Sequence, residues 1–581
     1  MRDFHGPKYI FPIGDPYSLH KPDSIPLMQW LQQGCFLFSE SKLRMQGGDL
    51  GQSWLMSRST CPHHIPQIRV IQSQFLNSCS RSPMSNIPNG WFTVLNSLEL
   101  SDPEHSGSHA LITPAAGWEL RLDLWQGDWP REVSEDWGQV LITDRGGALK
   151  PDSAARTQHR NQLCLRKKTW LDVDLSSDAP APEGIPWILS RHLEQDQPDA
   201  LHKLTSEAQD LGAVAVKLVL PSETPLSRRL ELLQQAKNSD FPCVTFSMAS
   251  QNHADRLWAM ESGQPWAYLG QSGLQQELPG MLLATELRQR YQWSTTEPPQ
   301  DRFLILGDAV RHSLSPDWHN RIFAKHGISA RFYPWSTQQP DLDLAAWKTQ
   351  GPGDLKGLAI TTPYKSWAKS QGSEVTWASD STAETQPSWN TLMQQGDRWT
   401  GTSTDGVGAW NLIAEVIKDS RSFHRPLVIL GRGGAAQSVA KAFMSHGWET
   451  WLACRPGTLN RSDTDFKDFH ITDDPECVQS ADVLINATGT DDQRSADWPW
   501  NLEDFNGTVA LEMDYSSGHT SFEKALTSRE GITTFSGFDF FASQARLQAQ
   551  LFYGLDISLK ESLELVQQIC QERNSGQYPT S

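Results

Sequence analysis

Eight short β-rich runs follow one another between residues 91 and 272, and they constrain the fold more than any other feature. They are WFTVLNS (91–97), WELRLDLW (118–125), QVLITDR (139–145), WLDVDL (170–175), IPWILSRH (185–192), AVAVKLVLP (213–221), FPCVTFSMA (241–249) and PWAYLGQS (265–272). Several intervening segments, such as ALHKLTSEAQDLG and SRRLELLQQAKNS, have helical character. Strands that alternate with helices predict a parallel sheet, and eight such units predict a compact (β/α)8 barrel.

A second α/β pattern follows the Pro-containing linker TTEPPQD (295–301). Its later strands are PLVILG (426–431), ETWLACR (449–455), ADVLINAT (481–488) and TVALEMDY (508–515). The whole chain from residue 89 is therefore expected to be α/β. Residues 1–88 are rich in Ser, Pro, Gln and His; they stay unassigned, and we expect a poorly ordered extension there.

Composition narrows the class of protein. The net charge is −18, which argues against non-specific binding to nucleic acid or to an anionic membrane. No apolar stretch approaches the roughly 20 residues of a membrane helix, and the N-terminus lacks the apolar region of a secretory signal. The eight cysteines are scattered and form no C-x-x-C, so neither a disulfide framework nor a metal site is expected. These features predict a cytoplasmic, multidomain protein.

A glycine turn between a strand and a helix predicts a dinucleotide site. In LVILGRGGAAQSVAKAF, Gly431, Gly433 and Gly434 would let the backbone approach a pyrophosphate at the N-terminus of the following helix. The next strand ends in Arg455 and carries no acidic residue there. An acidic residue would bind the ribose 2′-hydroxyl of NAD, whereas arginine suits the 2′-phosphate of NADP. We therefore expect NADP rather than NAD.

Four polar motifs precede this turn: RHSLSPDWHN (311–320), ITTPYK (360–365), WNTL (389–392) and GTSTDGVG (401–408). They supply hydroxyl groups, an amide, one lysine and one aspartate, which suit a polyhydroxylated ring substrate beside a nicotinamide. Taken singly, Lys365 and Asp405 could equally form a surface ion pair, and the serines could belong to turns.

The order of these motifs resembles the shikimate dehydrogenases over residues 303–565. That family carries H-S-x-S-P, V-T-x-P-x-K, N-T, G-x-N-T-D-x-x-G, G-x-G-G-A and N-A-T, followed by the Gln-Ala found here at Gln544. The resemblance implies that Lys365 is the general acid–base, with Asp405 beside it. It implies substrate contacts from Ser313, Ser315, Thr361, Asn390, Tyr515 and Gln544. It implies NADP contacts from Gly431, Gly433, Gly434, Ala435, Arg455, Asn486, Thr488 and Gly537. Two departures are Ser403, where asparagine is usual, and Glu512, where aspartate is typical.

A lysine interrupts the otherwise apolar run AVAVKLVLP in the first half. A desolvated lysine favours its neutral amine, which attacks carbonyl groups, although Lys217 could equally reach out of the barrel mouth. His192 ends the fifth run, Arg145 ends the third, and Glu119 and Arg121 lie in the second. Because barrel active sites form at the C-terminal ends of the strands, these residues predict Schiff-base chemistry with a proton shuttle.

The first half, residues 91–292, resembles the type I 3-dehydroquinate dehydratases. ELRLD, TDR, SRH and VKL match that family's E-x-R-x-D, its strand-three arginine, its S-x-H and its Schiff-base lysine, in this order. The resemblance implies an imine on Lys217, proton transfer by His192 and carboxylate binding by Arg256. The family's glutamate after Arg145 is missing, and the closing loop reads LPGM, with Glu277, Leu278 and Met281 as departures.

Together the two resemblances imply a bifunctional enzyme that converts 3-dehydroquinate to 3-dehydroshikimate and then, with NADPH, to shikimate. Expected domains are a barrel over 89–294, a substrate-binding domain over 302–405 with 541–570 packing back on it, and a Rossmann NADP-binding domain over 406–540. Three alternatives remain: a shikimate dehydrogenase with an inactive barrel, a quinate/shikimate oxidoreductase that prefers NAD, and a non-catalytic module that senses these metabolites.

Overall fold

The computed structural model describes most of the chain from residue 87 onward. The described residues are 87–95, 117–125, 128–133, 137–145, 154–174, 184–248, 254–270, 281–293, 297–375, 386–417, 424–459, 468–489, 498–515 and 519–574. All of them belong to one unit, Ser85–Ser581. Of the extension predicted over residues 1–88, residues 1–86 lie outside the described ranges. No helix in these ranges is both long and apolar enough to cross a membrane.

The first sheet has nine parallel strands, and each of the first eight overlaps one of the eight predicted runs. Its strands are β1 (Gly90–Leu95), β2 (Gly117–Arg121), β3 (Gln139–Thr143), β4 (Thr169–Asp174), β5 (Trp187–His192), β6 (Ala215–Leu220), β7 (Cys243–Ser247), β8 (Trp266–Gly270) and β9 (Leu282–Leu283). Every residue of β2, β6, β7 and β8 is buried. Parallel strands that are covered on both faces are apolar at nearly every position, and this continuous apolar pattern is what predicts them from the sequence.

The strand order β7-β6-β5-β4-β3-β2-β1-β8-β9 is that of a barrel wall. Among the described strands, no backbone ladder joins β7 to β8. The side chain of Gln264 bridges this seam instead: its Oε1 accepts a hydrogen bond from the Thr245 backbone N at 2.8 Å, and its Nε2 donates to Thr245 Oγ1 at 3.2 Å. The barrel helices are α1 (Ala154–Leu163), α2 (Ala200–Leu211), α3 (Leu226–Lys237), α4 (Ala254–Glu261) and α5 (Ala284–Gln289).

The second sheet has six strands in the order β11-β10-β12-β14-β15-β13. Its strands and helices are β10 (Asp301–Gly307), α6 (Ser315–His326), β11 (Ala330–Ser336), α7 (Pro340–Gln350), β12 (Asp354–Ile360), α8 (Lys365–Lys369), β13 (Ser373–Glu374), β14 (Thr391–Gln395) and β15 (Arg398–Thr402). Strands β10, β11 and β12 are parallel, and β14 runs antiparallel to both β12 and β15. The sheet is therefore mixed, with its parallel part next to the barrel.

The third sheet has six parallel strands in the order β18-β17-β16-β19-β20-β21. Its elements are α9 (Asp405–Ile413), β16 (Leu427–Leu430), α10 (Gly434–Ser445), β17 (Thr450–Ala453), β18 (His470–Thr472), β19 (Val483–Asn486), β20 (Val509–Glu512), α11 (Ser521–Thr527), β21 (Thr533–Phe535), α12 (Gly537–Tyr553) and α13 (Leu559–Asn574), with 3-10 turns at Pro475–Ser480 and Leu502–Asp504. The chain reverses its winding direction between β16 and β19. In sheets of this kind, ligands bind at that switch point, beyond the carboxyl ends of the strands.

The barrel and the second sheet share one core. Helix α3 packs on α7, and Trp258 of α4 stacks on Trp335 of β11 with ring centroids 5.1 Å apart. Trp347 of α7 meets the same indole edge-on at 4.8 Å. Apolar residues of both halves form one buried cluster around these rings. Aromatic pairs in this range add stability beyond the area that they bury, so the two halves are packed together as parts of one folded unit.

Candidate active sites

The barrel buries Lys217 at the centre of its wall, against a carboxylate. Lys217 lies on β6 with 2% of its surface exposed, and its Nζ contacts Oδ2 of Asp172 on β4. Ser190 Oγ, on the intervening strand β5, donates a hydrogen bond to Asp172 Oδ1. Ser190 and Lys217 are register partners across β5 and β6. The parallel register thus gathers a lysine, a serine and an aspartate from three consecutive strands.

Burial decides the protonation of this cluster. Loss of water lowers the pKa of Lys217, against the attraction of Asp172. Burial also opposes ionisation of Asp172, but Lys217 and Arg145 hold the pKa of its carboxyl below the ordinary value. The lowered pKa enlarges the neutral fraction of the Lys217 amine, and that form is the nucleophile.

His192 ends β5 on the same side of the sheet. Burial, Arg145 and Lys217 together lower the pKa of His192 to about 3, so the imidazole is neutral at physiological pH. Its Nε2 atom and the Nε atom of Arg145 are buried without a hydrogen-bond partner among the described residues. Buried polar atoms in native proteins are nearly always paired, so unpaired ones in a cluster of this kind point to groups that a ligand would satisfy.

The other predicted residues of this site surround the cluster. Thr143 Oγ1 donates to Glu119 Oε1 at 2.7 Å, and Glu119 is close enough to act on Lys217 electrostatically. Arg256, on α4, lies 4.3 Å over the Phe246 ring, and burial lowers its pKa to about 10 against the pull of Asp255 and Glu119. Arg256 therefore belongs to the same electrostatic neighbourhood.

Arg121 points at a different partner. Its Nε and Nη2 atoms donate to the two carboxylate oxygens of Asp123 at 2.9 and 2.7 Å. This bidentate pair, within the predicted ELRLD motif, occupies the Nε–Nη2 edge of the guanidinium group.

Sequence reasoning missed Asp172 and Ser190. The signal for Asp172 was present, because a carboxylate inside the apolar run WLDVDL must find a buried partner. Glu277 and Leu278, two of the three departures from the family pattern in the closing loop, lie outside the described residues, as do residues 146–150. Met281 is described: its side chain is 6% exposed and packs under Gly270, so it serves the core beside the site.

The second site is built around Lys365 and Asp405. Lys365 begins α8, Asp405 begins α9, and Lys365 Nζ donates to Asp405 Oδ2 at 2.6 Å. Their side chains are 17% and 5% exposed, so the pair is largely withdrawn from solvent. Asn390 Nδ2 donates to the other carboxylate oxygen of Asp405 at 2.8 Å. The aspartate is thus fixed from two sides and holds the lysine in turn.

Asn390 and Gln544 both bind Thr404, the residue just before helix α9, which begins at Asp405. Asn390 Oδ1 accepts a hydrogen bond from the Thr404 backbone N at 2.8 Å, and Thr404 Oγ1 donates to Gln544 Oε1 at 3.0 Å. Gln544 belongs to α12, so the long C-terminal helix contacts the site directly. Ser403, the departure noted in the sequence, accepts from the Asp405 backbone N at 3.4 Å and so caps the same turn.

The predicted hydroxyl groups lie around this pair. Ser313 Oγ accepts from the Ser315 backbone N at 3.2 Å, and Ser313 also shares a hydrogen bond with Tyr515. Burial, with the nearby charges of Asp514 and Asp405, raises the pKa of Tyr515 to about 12. Thr361 directly follows β12 and packs on Gly307. The structure therefore brings Ser313 and Tyr515 to the neighbourhood of Asp405.

The glycine turn meets the lysine site. Gly431 has φ of +108°, a conformation that favours glycine, and it approaches the Ala487 carbonyl. A Cβ on Gly434 would lie 2.7 Å from Ser388 Oγ and 3.5 Å from Lys365 Cβ, whereas one on Gly433 would meet nothing within 4 Å. The turn is therefore open at Gly433 and packed against Ser388 and Lys365 at Gly434.

The remaining predicted cofactor residues line the carboxyl edge of the third sheet. Ala435 is in the first turn of α10, Arg455 follows β17, and both are half-buried. Asn486 ends β19 and accepts from Thr488 N and Oγ1 at 3.2 and 2.7 Å. Gly537 begins α12 against the Asp514 carbonyl, where a side chain would clash.

Glu512, which stands where the family typically has aspartate, orients the side chain of Asn486. Its carboxylate accepts two hydrogen bonds from Asn486 Nδ2, at 3.0 and 2.9 Å, and one each from Thr520 Oγ1 and the Asp514 backbone N. Burial raises the pKa of Glu512 to about 7 in spite of these donors. The side chain orients the Asn486 amide and, through it, the loop that carries Thr488.

Comparison with known proteins agrees with this two-site arrangement. Residues 138–298 match the family model of type I 3-dehydroquinase, and residues 305–382 match that of the shikimate dehydrogenase substrate binding domain. Shikimate dehydrogenase (NADP(+)) of Maridesulfovibrio salexigens is 26% identical over 275 residues, which are 46% of this chain and 97% of that protein. The protein of the same name from Thermus thermophilus is 29% identical over 265 residues, 44% of this chain and 93% of its own.

A solved structure spans more of the chain. The dehydroquinate dehydratase and shikimate dehydrogenase from S. pombe AroM is 19% identical, with a TM-score of 0.36, and the match covers 83% of this chain and 98% of that one. The two family matches lie side by side and in the order of the two sites described above. One polypeptide therefore carries a region that matches the type I 3-dehydroquinases, followed by a region that matches the substrate binding domain of the shikimate dehydrogenases.

Proposed function

We propose that the two sites catalyse consecutive reactions on one carbon skeleton. The barrel dehydrates 3-dehydroquinate to 3-dehydroshikimate, and the second half reduces that product to shikimate with NADPH. The observation that carries the proposal is the pair of amine–carboxylate contacts, one fully buried between Lys217 and Asp172 and one largely withdrawn from solvent between Lys365 and Asp405. Lys217 and Asp172 lie within the residues that match type I 3-dehydroquinase. Lys365 lies within those that match the shikimate dehydrogenase substrate binding domain, and Asp405 follows that stretch.

In the barrel, the neutral amine of Lys217 attacks the ketone carbon of the substrate, and water leaves to form an imine. His192, neutral because it is buried among cations, takes the proton from the carbon beside the imine. The same imidazole, now protonated, gives that proton to the hydroxyl that leaves as water. Hydrolysis of the imine returns the ketone and the free lysine. Arg256 and Arg145 supply the positive charge that an anionic substrate needs in a protein of net charge −18.

In the second site, the Lys365 ammonium donates a proton to the ketone oxygen as negative charge develops there. Asp405 holds the Lys365 ammonium in place, and Asn390 fixes Asp405. Ser313, Ser315, Thr361, Tyr515 and Gln544 hold the hydroxyl and carboxylate groups of the ring. NADPH, when bound, supplies the hydride. The general acid and the hydroxyl-binding residues come from separate elements, so the ring is held while the proton is delivered.

The residues at the switch point fit NADP. Gly433 leaves its side open for a phosphate, and Gly431 has the backbone conformation that the turn requires. Arg455 stands after β17, where an acidic residue would select NAD. The NADP-dependent relatives carry this cofactor in their names. Gly434, Ala435, Asn486, Thr488 and Gly537 complete the set that would hold the dinucleotide, next to Lys365.

We also propose a cytoplasmic location with small-molecule partners only, and with neither nucleic acid nor a membrane as a ligand. The five cysteines in the described part of the chain are free thiols, as expected of a reducing compartment. The domain limits that we propose are those set out from the sequence: 89–294, 302–405 with 541–570, and 406–540.

A two-stage absorbance assay on a single sample tests the proposal. Purified protein is given 3-dehydroquinate, the conjugated enone of 3-dehydroshikimate is followed by ultraviolet absorbance, and NADPH is then added and its consumption recorded. Wild type should show both phases. Lys217→Met should lose the first and keep NADPH oxidation when 3-dehydroshikimate is supplied, and Lys365→Met should do the reverse. Lys356→Met, at a residue 41% exposed in the second sheet, is the matched control.

Each alternative has its own outcome in this assay. NADPH oxidation without enone formation would mean a dehydrogenase with an inactive barrel. Faster turnover with NADH than with NADPH would indicate the NAD-preferring oxidoreductase. Tight binding of substrate without either product would indicate a metabolite-sensing module and would overturn the proposal.

A further inference from the structure

The segment that carries Ser313 and Ser315 is held from outside by two arginines. Arg290 Nη2 donates to the Arg311 carbonyl at 3.0 Å. Arg573 Nη1 and Nη2 donate to the carbonyls of His312 and Ser313 at 2.9 and 3.0 Å. Three consecutive backbone carbonyls thus point at two guanidinium groups, and the segment between β10 and α6 has its backbone fixed residue by residue.

A buried aspartate locks the two arginines together. Asp317 Oδ2 accepts from Arg290 Nε at 3.1 Å and from Arg573 Nη2 at 2.7 Å. The Asp317 side chain is 0% exposed and that of Arg290 is 3% exposed. Glu286 lies 3.7 Å from Arg290 Nη1 and supplies a second negative charge. The planar guanidinium lets each arginine bind a carboxylate and a carbonyl at once, which a lysine ammonium cannot match in geometry.

The three partners come from three parts of the chain. Arg290 follows helix α5 and lies within the residues that match type I 3-dehydroquinase. Asp317 lies in α6, within the residues that match the shikimate dehydrogenase substrate binding domain. Arg573 lies in α13, near the end of the described chain. The barrel half therefore reaches a backbone segment that belongs to the dehydrogenase site.

We propose that Arg290, together with Arg573, is a positioning residue for the substrate segment 311–315, so that the barrel half sets the affinity of the dehydrogenase half for its ring substrate. The inference rests on the proposed function, in which Ser313 and Ser315 bind that ring. The five hydrogen bonds given above for these arginines go to Asp317 and to the carbonyls of residues 311–313, not to the glycine turn at residues 431–434. Replacing either arginine should shift the hydroxyl groups of Ser313 and Ser315 relative to Lys365 and leave the dinucleotide site in place.

The test compares Michaelis constants in full-length Arg290→Lys, Arg573→Lys and the double variant, with shikimate and NADP+ as substrates. Arg288→Lys, at an exposed position of the same helix α5, is the control. A displacement of the serines by a fraction of an ångström should raise the KM for shikimate about tenfold while the KM for NADP+ changes less than about twofold. Because both arginines share Asp317, the double variant should fall short of the product of the two single effects.

The kinetic outcomes distinguish a positioning role of the arginines from a purely structural one, and both from a failure of the proposed function. An active wild type with unchanged shikimate KM in folded Arg290→Lys would overturn the inference and leave the proposed function standing. Equal rises in both KM values, or a lower melting temperature with both KM values unchanged, would show a structural role only and would also overturn it. A wild-type chain that does not oxidise shikimate would overturn the proposed function and the inference together.

Discussion

Glu261, in the last turn of barrel helix α4, forms a buried ion pair with Arg302 in the first strand of the second sheet. Arg302 Nε and Nη2 donate to Glu261 Oε2 at 3.2 and 3.1 Å. Arg331 Nη1 and Tyr333 OH donate to Oε1. The same helix carries Arg256 of the barrel site, so this contact ties that site to the dehydrogenase half.

Replacing Glu261 should destabilise the whole unit. Glu261→Gln leaves Arg302 and Arg331 buried without a compensating charge, and such a loss costs about 3–5 kcal/mol. Chemical denaturation followed by tryptophan fluorescence should show a lower midpoint than wild type. Glu207→Gln is the control, because its pair with Arg191 is half-exposed and should contribute at most about 1 kcal/mol. Equal midpoints for the two variants would mean that the interface does not stabilise the fold.

Asp172 should be needed for imine formation. Asp172→Asn removes the charge that holds Lys217, and misplacement of a nucleophile by about 1 Å can slow a reaction about 100-fold. Borohydride reduction in the presence of 3-dehydroquinate should attach substrate to Lys217 in wild type and far less in this variant, as peptide mass spectrometry would show. Asp210→Asn, exposed on α2, should be trapped like wild type. Full trapping in Asp172→Asn would contradict the positioning role.

Glu512 should make stability depend on pH. Its pKa is about 7 in the folded protein and 4.5 in the unfolded chain, so the native state binds the extra proton between these values. Stability from this group is therefore complete below pH 4.5 and is lost as pH rises through 7, by about 3 kcal/mol. Melting temperatures of Glu512→Gln should fall less than those of wild type over this range. Exposed Glu503→Gln should follow wild type, and a parallel decline in all three would refute the assignment.

Arg455 should select the cofactor. Charged hydrogen bonds contribute about 1.5–3 kcal/mol, so Arg455→Ala should raise the KM for NADP+ roughly 10- to 100-fold. The KM for NAD+, which lacks the 2′-phosphate, should change little. Steady-state kinetics with both cofactors measures the ratio. Arg425→Ala, at a half-exposed side chain two residues before β16, is the control. An equal loss with both cofactors would assign Arg455 to general dinucleotide binding.

Local patterns were enough for the barrel strands and for the four central strands of the third sheet. Each of the eight apolar runs of the first half overlaps one of β1–β8, and the four named strands of the second half contain β16, β17, β19 and β20. The six strands of the second sheet, β10–β15, were not named from the sequence. The short edge strands β9, β18 and β21 were missed too, because two or three residues are too few to show a period. The motif order also indicated both families, which the family matches confirm.

Long-range partners could not be found in this way. Lys217 and Asp172 stand 45 residues apart, and neither of their two apolar runs identifies the other residue as its partner. Their contact depends on the register of β4, β5 and β6, which a single strand does not encode. Glu261 and Asp317 carried no sequence signal of their own, because their roles come from arginines delivered by other elements.

The sequence by itself determined the elements, their order and the identity of the reactive groups, because strand periodicity, turn glycines and functional groups are local properties of the chain. Only the tertiary structure decided that Lys217 and Lys365 each contact a carboxylate away from bulk solvent, and that Arg290 of the barrel half binds the backbone of a segment of the dehydrogenase half. Burial and charge pairing depend on what neighbouring elements place around a side chain, and they set its pKa and position only once the domains have packed.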